Sequence, residues 1–153
     1  MRVQSLMSQP VVTCHVGDSL ADAARLMWEH DVGALPVVAD DDTVVGMITD
    51  RDISMAAYTQ GRPLAAVPVA TAMANHVVAA QRHYRAIDVE QLMAQYQVRR
   101  LPVVDEHGRA IGMISLGDLA AASVRPGSRI TNASMKIPQT LVAISEPRKR
   151  QAA

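Results

Sequence analysis

The sequence repeats itself. Leu35-Pro36-Val37-Val38 recurs as Leu101-Pro102-Val103-Val104, and Gly46-Met47-Ile48 recurs as Gly112-Met113-Ile114, both at an offset of 66 residues. The same offset, without a gap, matches Met7 to Met73, Val11-Val12 to Val77-Val78, Asp22 to Asp88, Leu26-Met27 to Leu92-Met93, Val32 to Val98 and Asp52 to Asp118. This period is too long for the common solenoid repeats, and two copies are too few for an array. A chain of 153 residues therefore reads as a tandem duplication of one small supersecondary unit. A unit of about 60 residues buries only ~60% of its unfolded surface and is marginal alone. Two copies packed through their sheets bury what one cannot.

Each copy follows the same order of elements. Val11–Thr13 and Val77–Ala79 read as short β runs, followed by apolar residues at helical spacing: Leu20, Ala23, Ala24 and Met27, then Ala86, Val89, Met93 and Tyr96. Ser19 with Asp22 marks a helix start and Gly33 a stop. Two strands joined by a polar turn come next, Leu35–Val38 with Val44–Thr49 and Leu101–Val104 with Ala110–Ser115. Pro36 and Pro102 each remove a ladder donor and belong at a strand start or an edge. A helix closes each unit, from Asp50 to about Gln60 and from Leu116 to about Ala122. The reading is an α+β chain with the first repeat over residues 1–62, a linker at 63–70, the second repeat over 71–122 and an irregular tail at 123–153.

Composition narrows the function. Apolar residues make up 49% of the chain, enough for a packed core, but aromatics are only 3% and Phe is absent, so stacking platforms for bare nucleic-acid bases are not expected. Fifteen basic residues balance fifteen acidic ones, so no overall field draws the chain to DNA or an anionic membrane. The balance is uneven: residues 1–66 carry four Arg against nine acids, and residues 123–153 carry six basic residues against one acid. A single cysteine, and no leader or membrane-length apolar run, point to a soluble, reducing, cytoplasmic setting.

The most informative local pattern is Gly46-Met47-Ile48-Thr49-Asp50-Arg51-Asp52-Ile53, echoed by Gly112-Met113-Ile114-Ser115-Leu116-Gly117-Asp118-Leu119. In each, a strand ends in a hydroxyl residue and a carboxylate follows three positions later at a helix start. That spacing suits a capping box, in which the hydroxyl satisfies an orphan backbone donor and the acid reaches back. It equally suits a carboxylate facing a cleft and accepting hydrogen bonds from two neighbouring hydroxyls, as a ribose diol offers. One side chain can do both.

The repeat, the element order, the L-P-V-V strands and the duplicated hydroxyl-x-x-Asp motif together resemble a pair of cystathionine-β-synthase (CBS) domains, the tandem called a Bateman module, over residues 5–122. The resemblance implies two β-α-β-β-α repeats packed through their sheets about a pseudo-twofold axis. It also implies two clefts that bind AMP, ADP, ATP or another adenosyl ligand as a regulatory ligand, with no cofactor required. By the same resemblance Asp52 with Thr49, and Asp118 with Ser115, hold the ribose, while Arg99 and Arg100 precede Leu101-Pro102 where a basic pair touches phosphate. Arg51 is a further phosphate candidate, since a guanidinium donates two parallel hydrogen bonds. The copies differ here: Gly33-Ala34 stands where the second has Arg99-Arg100, and Gly117 where the first has Arg51, so two unequal sites are expected. The base slot falls on Val12, Thr13, Leu35, Pro36, Val78, Leu101 and Pro102, which also read as ordinary strand core.

Catalytic motifs do not emerge. The five histidines show no metal-ligand spacing, and no phosphate loop, dinucleotide fingerprint or nucleophile elbow is present, so neither an enzyme nor a metal site is expected. Asp40-Asp41-Asp42 reads as a solvated turn, Cys14 as a small buried residue, Trp28 and Tyr58 as packed on helices, and the paired methionines as core fillers. In the tail, the apolar stretch within Thr140–Ser145 followed by Arg148-Lys149-Arg150 either folds back on its own module or docks on a second subunit or effector. The expected partners are an adenine nucleotide, a second copy in a homodimer and an unidentified effector, without membrane or nucleic acid. The rival reading is a dimerising scaffold in which the motifs serve only as helix caps.

Overall fold

A computed structural model of the chain describes residues 1–125 and 135–146. It is a mixed α+β protein with two three-stranded sheets, of order β1-β2-β3 and β4-β5-β6, and five α-helices among the described residues. The first sheet contains β1 (Cys14–His15), β2 (Ala34–Val38) and β3 (Val44–Thr49), with α1 (Leu20–His30) between β1 and β2 and α2 (Asp50–Gln60) after β3. The second repeats this with β4 (Ala80–Gln81), α3 (Ala86–Tyr96), β5 (Arg100–Val104), β6 (Ala110–Ser115) and α4 (Leu116–Ser123), and α5 (Ile137–Ser145) follows.

Two compact units emerge from the internal contacts. One holds Gln9–Val77 with Val104–Gly112, the other Met1–Ser8 and Val78–Val103 with the described part of Met113–Ala153. Each takes in a short segment from the far side of the duplication. In the first, Leu20 N donates to Val67 O at 2.9 Å, Val69 N to Asp18 O at 2.8 Å, and Met47 and Ala74 exchange two backbone hydrogen bonds of 3.1 and 2.8 Å. In the second, the residues one repeat length earlier do the same: Ala86 N donates to Met1 O at 3.1 Å, Val3 N to Tyr84 O at 2.9 Å, and Ser8 pairs with Met113 at 2.8 and 3.1 Å. The stretch 63–70, expected as a linker, thus carries two 3-10 turns and the fully buried Val67 and Val69.

The cores are built in the same register. Leu35, Val37 and Ile48 are buried in one, and Leu101, Val103 and Ile114 in the other. Where the first core places Leu20 beside Ala23, the second places Ala86 beside Val89, a large-small exchange that keeps the filled volume nearly constant.

Several boundaries differ from expectation. The expected β runs at 11–13 and 77–79 are not strands; the ladders begin at Cys14 and Ala80. The parallel register, Cys14 opposite Val37, places Thr13 opposite Pro36, which has no N–H to extend the ladder. α1 ends before Gly33, with Asp31 in the left-handed region at φ 52° as its cap, and Gln97 ends α3 the same way. Trp28 and Tyr58 do not pack on helices: they are 88% and 83% exposed. The tail is not wholly irregular, since residues 137–145 form α5. Arg148-Lys149-Arg150 lies outside the described residues.

Candidate functional site

The duplicated motif folds identically in both copies. β3 ends at Thr49, whose hydroxyl accepts from Asp52 N at 3.1 Å, while Asp52 Oδ2 accepts from Thr49 N at 2.9 Å and from Thr49 Oγ1 at 2.7 Å. In the second copy Ser115 Oγ accepts from Asp118 N at 3.1 Å, and Asp118 Oδ2 accepts from Ser115 N and Oγ at 2.8 and 2.6 Å. The capping-box reading is therefore realised at both helix mouths. Each box engages a single carboxylate oxygen. Oδ1 of Asp52 and of Asp118 takes no hydrogen bond from the described residues, and both side chains are half-buried, so each carboxylate is held in one orientation with an acceptor to spare.

The arginines are placed by backbone bonds. Leu116 N donates to Arg99 O at 2.9 Å, which fixes Arg99 beside the mouth of α4 and hence beside the Ser115–Asp118 box. The equivalent bond in the first copy, Asp50 N to Gly33 O at 3.2 Å, puts a side-chain-free residue there. Arg99 and Arg100 are both exposed, and so is Arg51, whose amide donates to Asp50 Oδ1 at 2.7 Å. The second box thus lies next to a basic pair, whereas the first carries one arginine on its own helix.

The expected base slot divides in two. Val12, Thr13 and Val78 are half-buried, with surface to offer. Leu35 and Leu101 are 0% and 1% exposed and point into the cores of their own units, and Pro36 and Pro102 are buried, so these four have no surface with which to line a slot.

A cavity of about 290 Å³ opens in the first unit, with Val11, Thr13, Val38 and Ile111 among its walls. Asp42, Asp105 and Arg109 stand in its lining, and Asp52 and Asp118 do not. Arg109 escaped the sequence reading because no motif marks it; the only signal was its place after the turn Asp105–Gly108. That turn is held by Asp105 Oδ1, which accepts from the amides of His107 and Arg109, both at 2.9 Å. The Arg109 amide bond is the main reason the Asp105 carboxyl lies below its ordinary value. Asp41 is lowered first by the Thr43 hydroxyl, with a smaller contribution from the Arg109 charge.

Two further groups bear on the chemistry. Cys14 is 1% exposed, and its thiol is pushed up to about 12 by desolvation and then by the Asp18 charge, so it holds no thiolate near neutrality. Among the described residues no group of three His, Cys, Asp or Glu converges as a metal site would require, and no helix is long and apolar enough to cross a membrane.

Comparison with known proteins agrees with this geometry. The CBS domain family profile matches residues 3–58 and 69–125. The CBS domain-containing protein YhcV of Bacillus subtilis is 39% identical over 135 residues, covering 86% of this chain and 94% of that one. Hypoxic response protein 1 of Mycobacterium tuberculosis is 36% identical over 111 residues, covering 71% and 76%. Among solved structures, the CBS domain pair of protein MJ0100 in complex with 5′-methylthioadenosine and S-adenosyl-L-methionine superposes with a TM-score of 0.72 at 26% identity, over 79% of this chain and 94% of that one. Two matched domains, their duplicated capping boxes and relatives that align over most of their length show that the chain belongs to the CBS domain family.

Proposed function

We propose that the protein is a regulatory module that binds an adenosyl ligand, an adenine nucleotide or a relative of it, and passes occupancy to a partner protein through a change in shape or affinity. The observation that carries this reading is the pair of pre-set carboxylates. Asp52 and Asp118 each spend one oxygen on a helix cap and keep the other clear of hydrogen bonds from the described residues, half-buried at a helix mouth, in the form a ribose diol requires. Support comes from the MJ0100 domain pair, which holds two adenosyl compounds. In this reading Thr49 and Ser115 orient the ribose ligands, Arg99 and Arg100 meet the phosphate or other anionic end in the second copy, and Arg51 takes that part in the first. Val12 and Thr13 in one unit, and Val78 in the other, offer surface to a base, with Leu35 and Pro36, and Leu101 and Pro102, buried behind them in their own units. A ligand moves such a module only in so far as it binds one arrangement better than another.

The two sites are unequal, because a basic pair stands beside one box and glycine beside the other. Calorimetric titration with AMP, ADP, ATP and S-adenosylmethionine tests both points: the reading expects two affinities for at least one of them, and it fails if none binds. The homodimer and the effector belong to this proposal as well. A purely structural scaffold predicts no ligand response at all.

A further inference from the structure

The cavity in the first unit stands apart from the ribose-binding motif of that unit. Val44 N donates to Gly108 O at 3.0 Å and Thr43 bridges to Arg109, which brings the turns of the two hairpins together beside it. Thr49 and Asp52 belong to the far end of β3, ~17 Å along the strand from Val44. Of the residues assigned to the base, only Thr13 stands in its wall. At about 290 Å³ the cavity lies at the small end of the range for ligand pockets, ~300–1,000 Å³, which suits an amino acid better than a nucleotide.

Its lining has an apolar part, Val11, Val38 and Ile111, and a charged part, Asp42, Asp105 and Arg109. The duplication keeps the apolar part, with Val77, Val104 and Val45 at the equivalent positions, and drops the charged part, with Gly108, Ala39 and Thr43 there. The fold therefore builds both turns without the charges. Asp42 is held at φ 65° where its counterpart is Gly108 at φ 77°, a left-handed conformation that glycine adopts freely and an aspartate at a cost. Asp105 is half-buried and fixed through Oδ1, which accepts from the amides of His107 and Arg109 at 2.9 Å, while its Oδ2 takes no hydrogen bond from the described residues. The Arg109 charge adds, after the hydrogen bonds, to the lowering of Asp41 and Asp105, yet its guanidinium forms no ion pair with a carboxylate among the described residues. Charges of both signs that feel one another around a cavity without touching leave room for a group that meets both. Asp42 and Arg109 are exposed, so such a group reaches them from solvent.

We infer that this cavity binds a free aliphatic α-amino acid. Its ammonium has three N–H donors and satisfies Asp42 and Asp105 together, its carboxylate takes two parallel hydrogen bonds from the Arg109 fork, and its side chain lies on Val11, Val38 and Ile111. The charges decide the class. A plain amine leaves Arg109 unmet, a plain carboxylic acid leaves two carboxylates without a cation, and a nucleotide brings phosphate to a lining with two acids and one arginine. The inference is independent of the adenosyl reading.

Calorimetric titration of the full chain with L-leucine at low salt is the test, beside isoamylamine, which is leucine without its carboxylate, and isocaproate, which is leucine without its ammonium. Leucine is expected to bind, and each analogue about tenfold more weakly or worse, because each leaves a charged group unmet. Asp42→Gly and Arg109→Thr install the residues that the other copy carries, so both should melt within a few degrees of the parent while weakening leucine binding about tenfold or more. Neither heat of binding nor thermal shift with millimolar leucine overturns the inference. Isoamylamine that matches leucine overturns it too, since the acids then only gather a cation, and so does unchanged leucine affinity in both variants. Titrating Asp42→Gly with ATP keeps the two readings apart: an affinity equal to the parent's gives leucine a site of its own, whereas parallel loss of both ligands makes the cavity part of the adenosyl site and refutes a separate one. A chain that binds leucine and no adenosyl compound leaves this inference standing and removes the other.

Discussion

Replacing Asp118 by Ala removes two things at once, and they can be measured apart. The carboxylate accepts hydrogen bonds from Ser115 N and Oγ at 2.8 and 2.6 Å, so its loss opens a capping box and strands a half-buried amide. Loss of a cap costs ~0.5–2 kcal/mol and an unsatisfied partner about 1 kcal/mol or more, so the variant should be about 1–3 kcal/mol less stable than the parent. For a chain of this length each kcal/mol shifts Tm by roughly 2–4 °C, which places the fall at about 2–12 °C. A ligand at a hundred times its dissociation constant stabilises the parent by ~2.7 kcal/mol, a rise of about 5–11 °C. Differential scanning fluorimetry with and without the adenosyl compound reads both quantities. Asp22→Ala is the control: Asp22 closes a box of the same kind on Ser19, with Oδ2 at 3.0 and 2.7 Å from Ser19 N and Oγ, at a helix with no proposed ligand. The control should lower the baseline and keep the ligand shift, whereas Asp118→Ala should lower the baseline and lose it. If Asp118→Ala keeps a full ligand shift, the carboxylate is a cap and nothing more, and the ribose argument is refuted.

Four other outcomes follow from the geometry. Gly46→Ala places a methyl group 2.5 Å from Met73 Sδ and 3.1 Å from Ala74 O, so it should cost about 1–3 kcal/mol, read by chemical denaturation. The Cys14 thiol is raised from 9.0 to about 12; its contribution to stability is present in full below pH 9 and lost as pH climbs toward 12, so alkaline melts should show one extra proton released on unfolding. Iodoacetamide should leave the native thiol unmodified at neutral pH and label it only in denaturant. Thr140→Val deprives buried Glu90 of its donor and should destabilise the chain by about 1–3 kcal/mol, with amide exchange accelerated in α5 before α3.

The fold was legible to the extent that local chemistry decides it. Ser19 with Asp22, Thr49 with Asp52 and Ser115 with Asp118 announced three helix starts, and all three form the expected box. Both hairpins were legible because short continuous apolar runs flank turns rich in Asp and Gly. What escaped depends on long-range pairing. The two-residue β1 and β4 exist only through their partners, and the position of β1 is set by Pro36 across the ladder, which no window around Val11 contains. Residues 63–70 read as a linker because Pro63 and Pro68 punctuate them, yet Val67 and Val69 are buried by elements nearly fifty residues upstream. α5 was hidden by Pro138, a residue that reads as a breaker but belongs in the first turn of a helix. Trp28 and Tyr58 were misplaced for a simpler reason: hydrophobicity says that an aromatic prefers burial, and only the structure says what remains to bury it.

The duplication also separates what the fold needs from what function adds. Positions that differ between the copies while their backbone bonds stay the same are free of structural demand, because one backbone has accepted both residues. Gly33 and Arg99 make the same bond to the next helix, yet only Arg99 brings a charge to it. Ala24 and Glu90 occupy the same turn of equivalent helices, and only Glu90 accepts from a tail helix. Trp28 and Ala94 sit on equivalent faces, and only Trp28 stands in water. Each difference gives one copy a group that the other lacks: a charge at Arg99, an acceptor for α5 at Glu90 and an exposed ring at Trp28. Exchanging a residue for its counterpart is therefore the mildest perturbation this chain permits. Arg99→Gly should leave the melting temperature within a degree or two, as surface changes do, while lowering affinity for the anionic end of the ligand. If Arg99→Gly instead unfolds the chain, position 99 carries a structural load that position 33 does not, and the separation of fold from function at these sites fails.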